Sequence, residues 1–290
     1  MAIRTRRQSG LRVVVACVVT LLSLAACGGA SGSPAPAASP TTGAAASLDS
    51  GPTSGPATPE ATPAPTSIPA AGCVAPPAGM LAWWRAEGDA KDAAGTNDGT
   101  LRDGTTFGVG TIGQAFTVDG TSQYVEVAGA SDLQLKSAVT IEGWIYAAGA
   151  PNAYAGIAGT WDDNSGANRT YLFWLLNGQL EFIISPDGLS LGRATEPTPL
   201  PLNVWVHVAA TYDGTTIRLY RDGAQVASSP MAGGLAVNAK SFLIGRTEGG
   251  SVGPNFWKGS IDELSVYGRA LSPAEIAAIH GAGSAGKCRA

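Results

Sequence analysis

Histidine and cysteine are scarce in this chain of 290 residues, and that scarcity excludes several kinds of chemistry. Only two histidines occur, His207 and His280, which argues against His-rich metal sites and most histidine-based acid–base mechanisms. No Gly-x-Ser-x-Gly nucleophile elbow is present. The net charge is only −4 and no basic block lies beyond the N-terminal segment, so nucleic-acid binding has little support.

The first 26 residues have the pattern of an export signal. Four arginines precede an uncharged apolar run, residues 13–26, that is too short to span a hydrocarbon core of about 30 Å. The run ends in Leu24-Ala25-Ala26-Cys27, which resembles the lipobox of bacterial lipoproteins. We therefore expect acyl chains on Cys27 and a domain held at the membrane, outside the cytoplasm. The alternatives are an ordinary secretory signal or twin-arginine export through Arg6 and Arg7.

Residues 27–72 differ sharply in composition from the rest of the chain. They are almost entirely Ala, Pro, Ser, Thr and Gly, with Asp49 and Glu60 as the only charges. Such a segment cannot bury enough apolar surface to offset its ordering entropy, so the composition predicts a disordered tether. The remainder, residues 73–290, is predicted to form one monomeric globular domain.

Two cysteines are left for this domain once the N-terminal ones are assigned. Cys17 lies in the signal and Cys27 is the expected lipid site, which leaves Cys73 and Cys288 at the two ends of the domain. In an oxidising, exported context we expect a disulfide between Cys73 and Cys288. Two free thiols are the alternative.

Strand patterns dominate the domain. Apolar runs flank the turn dipeptides Asn177-Gly178, Asp213-Gly214 and Asp222-Gly223, each of which is typical of a β-hairpin. One helix is predicted over 272–279, with Ser272 as its cap and Glu275 completing a capping box. The pattern predicts an all-β, two-sheet antiparallel sandwich with one short C-terminal helix. Three tryptophans in strong strands, Trp144, Trp174 and Trp205, are interpreted as packing residues.

A series of short motifs then gives a resemblance to a known family. In order they are Leu81-Ala82-Trp83-Trp84-Arg85-Ala86-Glu87-Gly88, Asn97-Asp98-Gly99-Thr100-Leu101, Gly113-Gln114-Ala115-Phe116, Tyr124-Val125-Glu126-Val127, Thr140-Ile141-Glu142-Gly143-Trp144, Trp205-Val206-His207-Val208-Ala209 and Ile261-Asp262-Glu263-Leu264-Ser265-Val266-Tyr267. Together they resemble the laminin-G-like jelly-roll domains of the concanavalin A-like lectin/glucanase superfamily. The resemblance implies a jelly roll that binds sugars or proteins, often with calcium, or serves as an accessory module of hydrolases.

A calcium site is expected from strand alternation and from the resemblance. Alternation places Asp262 on the side of Leu264 and Val266, where a buried carboxylate needs a partner or a metal. The resemblance adds Glu87 and Asn97 as further ligands of a structural Ca²⁺. The alternative is that Asp262 accepts backbone N–H bonds or pairs with Arg269.

A ligand-binding surface is expected around the polar segment 159–169, between strands. Sugars are held by an aromatic face together with fixed polar groups, and six residues here can supply both: Trp161, Asp162, Asp163, Asn168, Arg169 and Tyr171. The alternative is that Trp161 covers the sheet edge while the acids cap turns.

The sequence favours a non-catalytic carbohydrate-binding module. Glycosidases of the superfamily carry carboxylates on one strand face, whereas Glu87-Gly88-Asp89 has the composition of a turn. Protein–protein adhesion is the main alternative for the same surface. A structural envelope module or a cryptic glycoside hydrolase comes after it.

Overall fold

The fold is built from short antiparallel strands, as the turn dipeptides predict. The computed structural model describes residues 72–164, 168–248 and 255–289, and the signal, Cys27 and nearly all of the expected tether lie outside these ranges. The strands are β1 Met80–Trp84, β2 Thr100–Arg102, β3 Thr106–Val109, β4 Gln114–Asp119, β5 Tyr124–Val127, β6 Val139–Ala147, β7 Tyr154–Asp162, β8 Asn168–Leu176, β9 Gln179–Ile184, β10 Gly192–Pro199, β11 Trp205–Tyr212, β12 Thr216–Arg221, β13 Ala224–Pro230, β14 Phe242–Ile244 and β15 Lys258–Tyr267.

These strands form two sheets. One has eight strands in the order β13-β12-β11-β6-β15-β4-β3, with β1 also paired to β15. The other has seven strands in the order β10-β9-β8-β7-β14-β5-β2. Neighbours far apart in sequence, such as β6 and β15, lie side by side. The predicted jelly-roll sandwich is therefore confirmed.

Aromatic and aliphatic side chains fill the space between the sheets. The rings of Trp84 and Phe242 stack with centroids 5.3 Å apart, and Phe173 meets Phe182 edge-on at 5.9 Å. All four side chains are buried. Each ring excludes a large apolar area from water, and the stacking geometry adds a specific preference for this arrangement.

Local sequence signals place the turns and the helix as predicted. Asn177 and Gly178 both have positive φ, 51° and 81°, which suits the tight turn between β8 and β9. Helix α1 spans Pro273–Gly281, and Ser272 and Glu275 form its capping box. Two short 3₁₀ helices lie at Ser131–Leu133 and Gly283–Ala285. No helix in the described ranges has the length and apolarity needed to cross a membrane.

One predicted loop is largely strand. The segment 159–169 contributes the end of β7 and the start of β8, which pair through Asp162 and Asn168. Two irregularities in register, at Gly156/Ala158 and Thr160/Trp161, interrupt the alternation of side chains along β7. A period-2 pattern was therefore not visible in the sequence.

Helix α1 and the C-terminal tail, residues 282–289, cover part of the outer face of the eight-stranded sheet. Ile276 and Ile279 of α1 pack against Tyr220 and Tyr267. The tail then inserts Lys287, which is only 5 % exposed, toward the carboxylates of the sheet.

Lys287 places its single positive charge between two buried carboxylates. Its Nζ lies 3.0 Å from Glu142 Oε1 and 3.7 Å from Glu263 Oε2. His207 is fully buried and places Nε2 3.2 Å from the other oxygen of Glu142. Burial alone would raise the pKa of Glu142, but Lys287 and His207 outweigh it and lower that pKa to about 2.

The predicted disulfide joins the two ends of the domain. Cys73 and Cys288 are bonded across 215 residues of sequence. Beside the disulfide, the Val74 N–H donates to Gly286 O at 2.9 Å and the Cys288 N–H donates to Val74 O at 2.8 Å. The N-terminal and C-terminal ends of the domain are thus held together.

Replacing both cysteines, Cys73→Ser with Cys288→Ser, should destabilise the domain. Closing a loop this long removes unfolded-state entropy worth up to about 5 kcal/mol in the chain-entropy model. Urea unfolding of the oxidised wild type and the double variant measures the difference. Wild type measured with reductant serves as a second route to the open form. Equal unfolding midpoints in all three samples would show that the disulfide does not constrain the domain.

Candidate functional site

Loops from both halves of the sequence meet at one end of the sandwich. We call this end the rim and define it by loops 128–138 and 231–241 together with the described ends of the β7–β8 hairpin. Backbone bonds fasten these loops to each other, for example Leu235 N–H to Lys136 O at 2.8 Å and Ala236 N–H to Ser185 O at 2.8 Å. The rim is therefore fixed by the sheets below it.

A surface cavity of about 320 Å³ lies within the rim. Its walls come from the segment that contains the first 3₁₀ helix and from the segment that precedes β14. The lining residues are Gly129, Ala130, Ser131, Gln134, Asn238, Ala239 and Lys240. The volume is within the lower range of small-ligand sites, and the walls offer both apolar carbons and polar groups.

Asn238 holds this cavity against the β7–β8 hairpin. Its Nδ2 donates to Asn168 O at 2.7 Å and to Thr170 Oγ1 at 3.0 Å, while its Oδ1 accepts from Thr160 Oγ1 at 2.9 Å. Gln134 Oε1 accepts from the Asn238 N–H at 3.0 Å. Asn238 is buried, so these bonds fix the cavity wall rather than bind a ligand.

Two ion pairs place charged side chains at the rim. Lys240 Nζ lies 2.7 Å from Asp162 Oδ2, and hydrogen bonding to this carboxylate raises the pKa of Lys240. Arg169 Nε lies 2.6 Å from Asp163 Oδ1. Lys240 both lines the cavity and remains partly exposed, so its ammonium group can donate to a ligand.

The six predicted ligand residues divide into two groups. Asp162, Asp163, Asn168 and Arg169 lie at the rim, but Trp161 and Tyr171 present no open ring face. Trp161 is 4 % exposed because it packs on Leu172 and Ile183. Tyr171 is fully buried and donates its hydroxyl to Leu133 O at 2.6 Å. The aromatic component expected at this site is therefore absent from the described cavity wall.

Sequence reasoning missed the residues that line the cavity. Ser131, Gln134 and Lys240 lie in irregular segments more than 100 positions apart, and no local motif marks them. Only the long-range pairing of β14 with β5 and β7 brings them together.

The predicted metal ligands are separated in the structure. Asn97 bonds through Nδ2 to Asp92 Oδ2 at 3.2 Å and to Asp132 Oδ2 at 3.0 Å, which is a turn-stabilising network. Asp262 and Glu87 instead face the β3–β4 turn. Within the described ranges no group of three or more His, Cys, Asp and Glu side chains is placed to hold a metal ion.

Asp262 does not share a face with Leu264 and Val266, contrary to the prediction from alternation. Asp262 lies opposite Trp144 and Ser265 opposite Glu142, so the register slips between them. Glu263, with φ 56°, forms the bulge that adds a residue there. Asp262 is still fully buried, but on the outer face of its sheet, beneath the β3–β4 turn.

Asp262 and Glu87 nevertheless have features that suit a cation. Asp262 Oδ2 accepts from the Ile112 N–H at 2.9 Å, whereas Asp262 Oδ1 and Glu87 Oε1 are buried without a hydrogen-bond partner among the described residues. Burial raises the pKa of Asp262 to about 7, which reflects the cost of its charge. Two carboxylates beside one turn would supply part of the oxygen ligand set that calcium takes.

The predicted turn at Glu87-Gly88-Asp89 is confirmed. These residues follow β1 in an irregular segment rather than on a strand face. They therefore do not form the paired carboxylates on a sheet that glycoside hydrolysis requires.

Comparison with known proteins identifies relatives of the domain. The family model Laminin_G_3, of the concanavalin A-like lectin/glucanases superfamily, matches residues 119–277, more than half of the chain. Pappalysin-1 from Mus musculus is 31 % identical over 167 residues, and pappalysin-1 from Homo sapiens is 30 % identical over 166 residues. Each match covers 50 % of this chain and 10 % of the relative, so the chain spans about a tenth of these curated relatives.

Solved structures share the architecture at low sequence identity. Domain 4 of the arabinanase AbnA from Geobacillus stearothermophilus, in complex with arabinotriose, has a TM-score of 0.56 at 18 % identity and covers 68 % of this chain and 96 % of its own. The binding domain of Paraclostridial Mosquitocidal Protein 1 gives 0.58 at 16 %, covering 70 % and 52 %. The ligand-binding domain of botulinum neurotoxin serotype D, in complex with N-acetylneuraminic acid, gives 0.53 at 15 %, covering 70 % and 50 %. These similarities show the fold alone.

Proposed function

Because the chain belongs to the Laminin_G_3 family of the concanavalin A-like lectin/glucanases superfamily, we propose that residues 73–290 bind carbohydrate without cleaving it. The observation that carries the proposal is the rim cavity of about 320 Å³, with a fixed wall at Asn238 and partly exposed polar groups around it. Its ligand would be one or two sugar units, held by the partly exposed polar groups of Ser131, Gln134 and Lys240.

The chemistry of the cavity suits hydroxyl-rich ligands. Sugar hydroxyls both donate and accept, which matches a serine hydroxyl, a glutamine amide and a lysine ammonium group. The apolar carbons of Ala130 and Ala239 would contact the C–H groups of a sugar ring. Two similar structures, the arabinanase domain and the neurotoxin domain, are sugar complexes, which supports this class of ligand.

Filling the cavity should abolish sugar binding while leaving the fold intact. Ala239 is exposed and lines the cavity, so Ala239→Trp adds bulk without removing a structural contact. We expect the full-length chain with Cys27→Ser, screened on a glycan array that includes arabinan fragments and sialosides, to bind a defined set of glycans and to lose them with Ala239→Trp.

The matched control is Ser228→Trp, which places the same ring on the exposed edge strand β13. The control should bind as the unsubstituted protein does. Unchanged binding in Ala239→Trp would remove the rim cavity as the site, and an empty array from folded protein would remove the carbohydrate proposal itself.

Protein adhesion is the second candidate, favoured by apolar side chains near the rim. Leu189 is 62 % exposed and Val237 is 50 % exposed, in loops that the Ala236–Ser185 backbone bond brings together. Leu189→Asp with Val237→Asp should weaken capture of a protein ligand but leave glycan binding unchanged. Loss of glycan binding in this variant would instead assign these side chains to the sugar site.

We further propose that Asp262 and Glu87 bind a structural calcium ion beside the β3–β4 turn. The ion would satisfy the two carboxylate oxygens that lack hydrogen bonds and would fasten the β3–β4 turn to the chain after β1. It would compete for Glu87 with Arg289 and Arg85, whose Nη2 atoms lie 3.6 Å and 3.8 Å from Glu87 Oε1.

Calcium should raise the melting temperature of the protein relative to EGTA. A ligand that binds only the folded state at about 100 times its Kd stabilises by about 2.7 kcal/mol. The gain should vanish in Asp262→Asn and persist in Glu248→Gln, which changes a control carboxylate 4.0 Å from Lys240 Nζ. Identical melting of the unsubstituted protein in calcium and in EGTA would contradict the site.

We also propose that the chain is exported and anchored to the membrane through acyl chains on Cys27. The support is the arginine-rich start, the short apolar run and the Leu24-Ala25-Ala26-Cys27 pattern. In a bacterial host, mass spectrometry of the membrane fraction should find diacylated Cys27 at the new N-terminus. Cys27→Ser should release the protein from membranes, and release of the unsubstituted protein would contradict the anchor.

A further inference from the structure

A row of outward-facing side chains crosses five strands of the eight-stranded sheet. Strand register pairs Trp205 with Tyr146, Tyr146 with Ser260, Ser260 with Thr117, and Thr117 with Thr106. We call these five residues the outer strip. With strands about 4.8 Å apart, it is about 19 Å long.

The outer strip faces away from the core. Val206, Ile145, Ile261 and Phe116, each next to a member of the strip on its strand, belong to the buried cluster between the sheets. Because successive side chains on a strand alternate between faces, the strip lies on the opposite side.

Helix α1 and the C-terminal tail stop short of this row. His207 and Trp144 form the neighbouring outward-facing pair on β11 and β6. Both are buried beneath His280 at the end of α1, and their ring centroids lie 5.8 Å and 5.7 Å from the His280 ring. By contrast Tyr146, Trp205 and Thr117 are only half-buried and Thr106 is exposed, while Ser260 in the middle of the row is buried. The aromatic pair and the two threonines of the strip are thus accessible beside the covered part of the sheet.

The chemistry of the strip alternates from aromatic to hydroxyl. The Tyr146 and Trp205 rings lie with centroids 5.7 Å apart, and Thr117 Oγ1 lies 3.1 Å from Ser260 Oγ. None of the five side chains carries a formal charge. Lys258, two residues before Ser260 on β15 and so on the same face, is exposed, but its register partner on β4 is Asp119, so the row has no uncompensated positive charge for an anionic polymer. An apolar protein partner would bury the threonine hydroxyls. An extended neutral polysaccharide offers C–H faces for the rings and hydroxyls for the threonines.

We propose that the outer strip binds a neutral polysaccharide chain, as a second carbohydrate-binding surface separate from the rim. The strip crosses β6 at Tyr146, near the end of that strand, whereas the rim loops precede its start at Val139. One chain bound at the strip therefore leaves the rim cavity free. This inference shares the ligand class of the proposed function but rests on different residues.

The test is affinity electrophoresis of the full-length chain with Cys27→Ser through gels that contain debranched arabinan, xylan or β-glucan. The strip variant is Tyr146→Ala with Trp205→Ala, and the rim variant is Ala239→Trp. We expect at least one neutral polysaccharide to retard the unsubstituted protein. The strip variant should lose about tenfold in affinity, the change that about 1.4 kcal/mol produces.

Two further variants control for folding and for ring chemistry. Trp174→Ala removes a half-buried tryptophan from the seven-stranded sheet and should leave retardation unchanged. Tyr146→Phe keeps the ring and should bind as the unsubstituted protein does. Near-ultraviolet circular dichroism verifies that each variant is folded.

The outcomes separate the two sites. Loss in the strip variant, with retardation kept in the rim variant, supports the outer strip as an independent surface. Unchanged retardation of a folded strip variant overturns it and leaves the rim proposal standing. The absence of retardation by all three polysaccharides also overturns the strip as a site for neutral chains, while the glycan array decides the rim separately.

Discussion

The structure depends on how the two ends of the domain are fastened to each other and to the outer face of the eight-stranded sheet. Glu142 and Glu263 are buried there, and isolated charges in such a place would cost several kcal/mol each. Lys287, held beside the Cys73–Cys288 disulfide, supplies a positive charge between them. The disulfide, the Val74 backbone bonds and this ion pair together hold the tail against the sheet.

This fastening also decides which parts of the outer face stay uncovered. The tail and helix α1 occupy much of the outer face, which leaves the row at Tyr146 open and the sandwich end at Lys240 free of both segments. The packed sheets hold the rim loops in place. Asn238 fixes the cavity wall to β8 through its hydrogen bonds to Asn168 and Thr170. Glu87 and Asp89 lie in an irregular segment after β1 and do not form the carboxylate pair on a strand face that glycoside hydrolysis uses.

Local signals in the sequence were sufficient for the hairpin turns and helix α1, but not for the end of β7, which was expected to be a loop. Asn177-Gly178 and the Ser272 cap are short-range devices whose geometry is dictated by a few neighbouring residues. The side of the sheet on which Asp262 lies could not be predicted, because the bulge at Glu263 breaks a strict period of 2. The cavity could not be predicted either, since its walls are brought together by pairing between strands distant in sequence.

The sequence also does not show which tryptophans are covered by other elements of the fold. An apolar strand identifies Trp205 as part of a sheet, but not whether its outer face is covered by other elements. Whether that face is covered depends on where helix α1 ends and where the tail crosses the sheet, and both are set by tertiary packing. The sequence therefore predicted which residues are sheet residues better than which are available to a ligand.

Hydrogen–deuterium exchange of the full-length chain with Cys27→Ser, with and without a glycan identified by the array, tests the central claim most directly. The account predicts that the glycan slows exchange in 129–134 and 236–241, around the rim cavity. A glycan that binds but slows exchange only in segments distant from the rim and from the outer strip would contradict it.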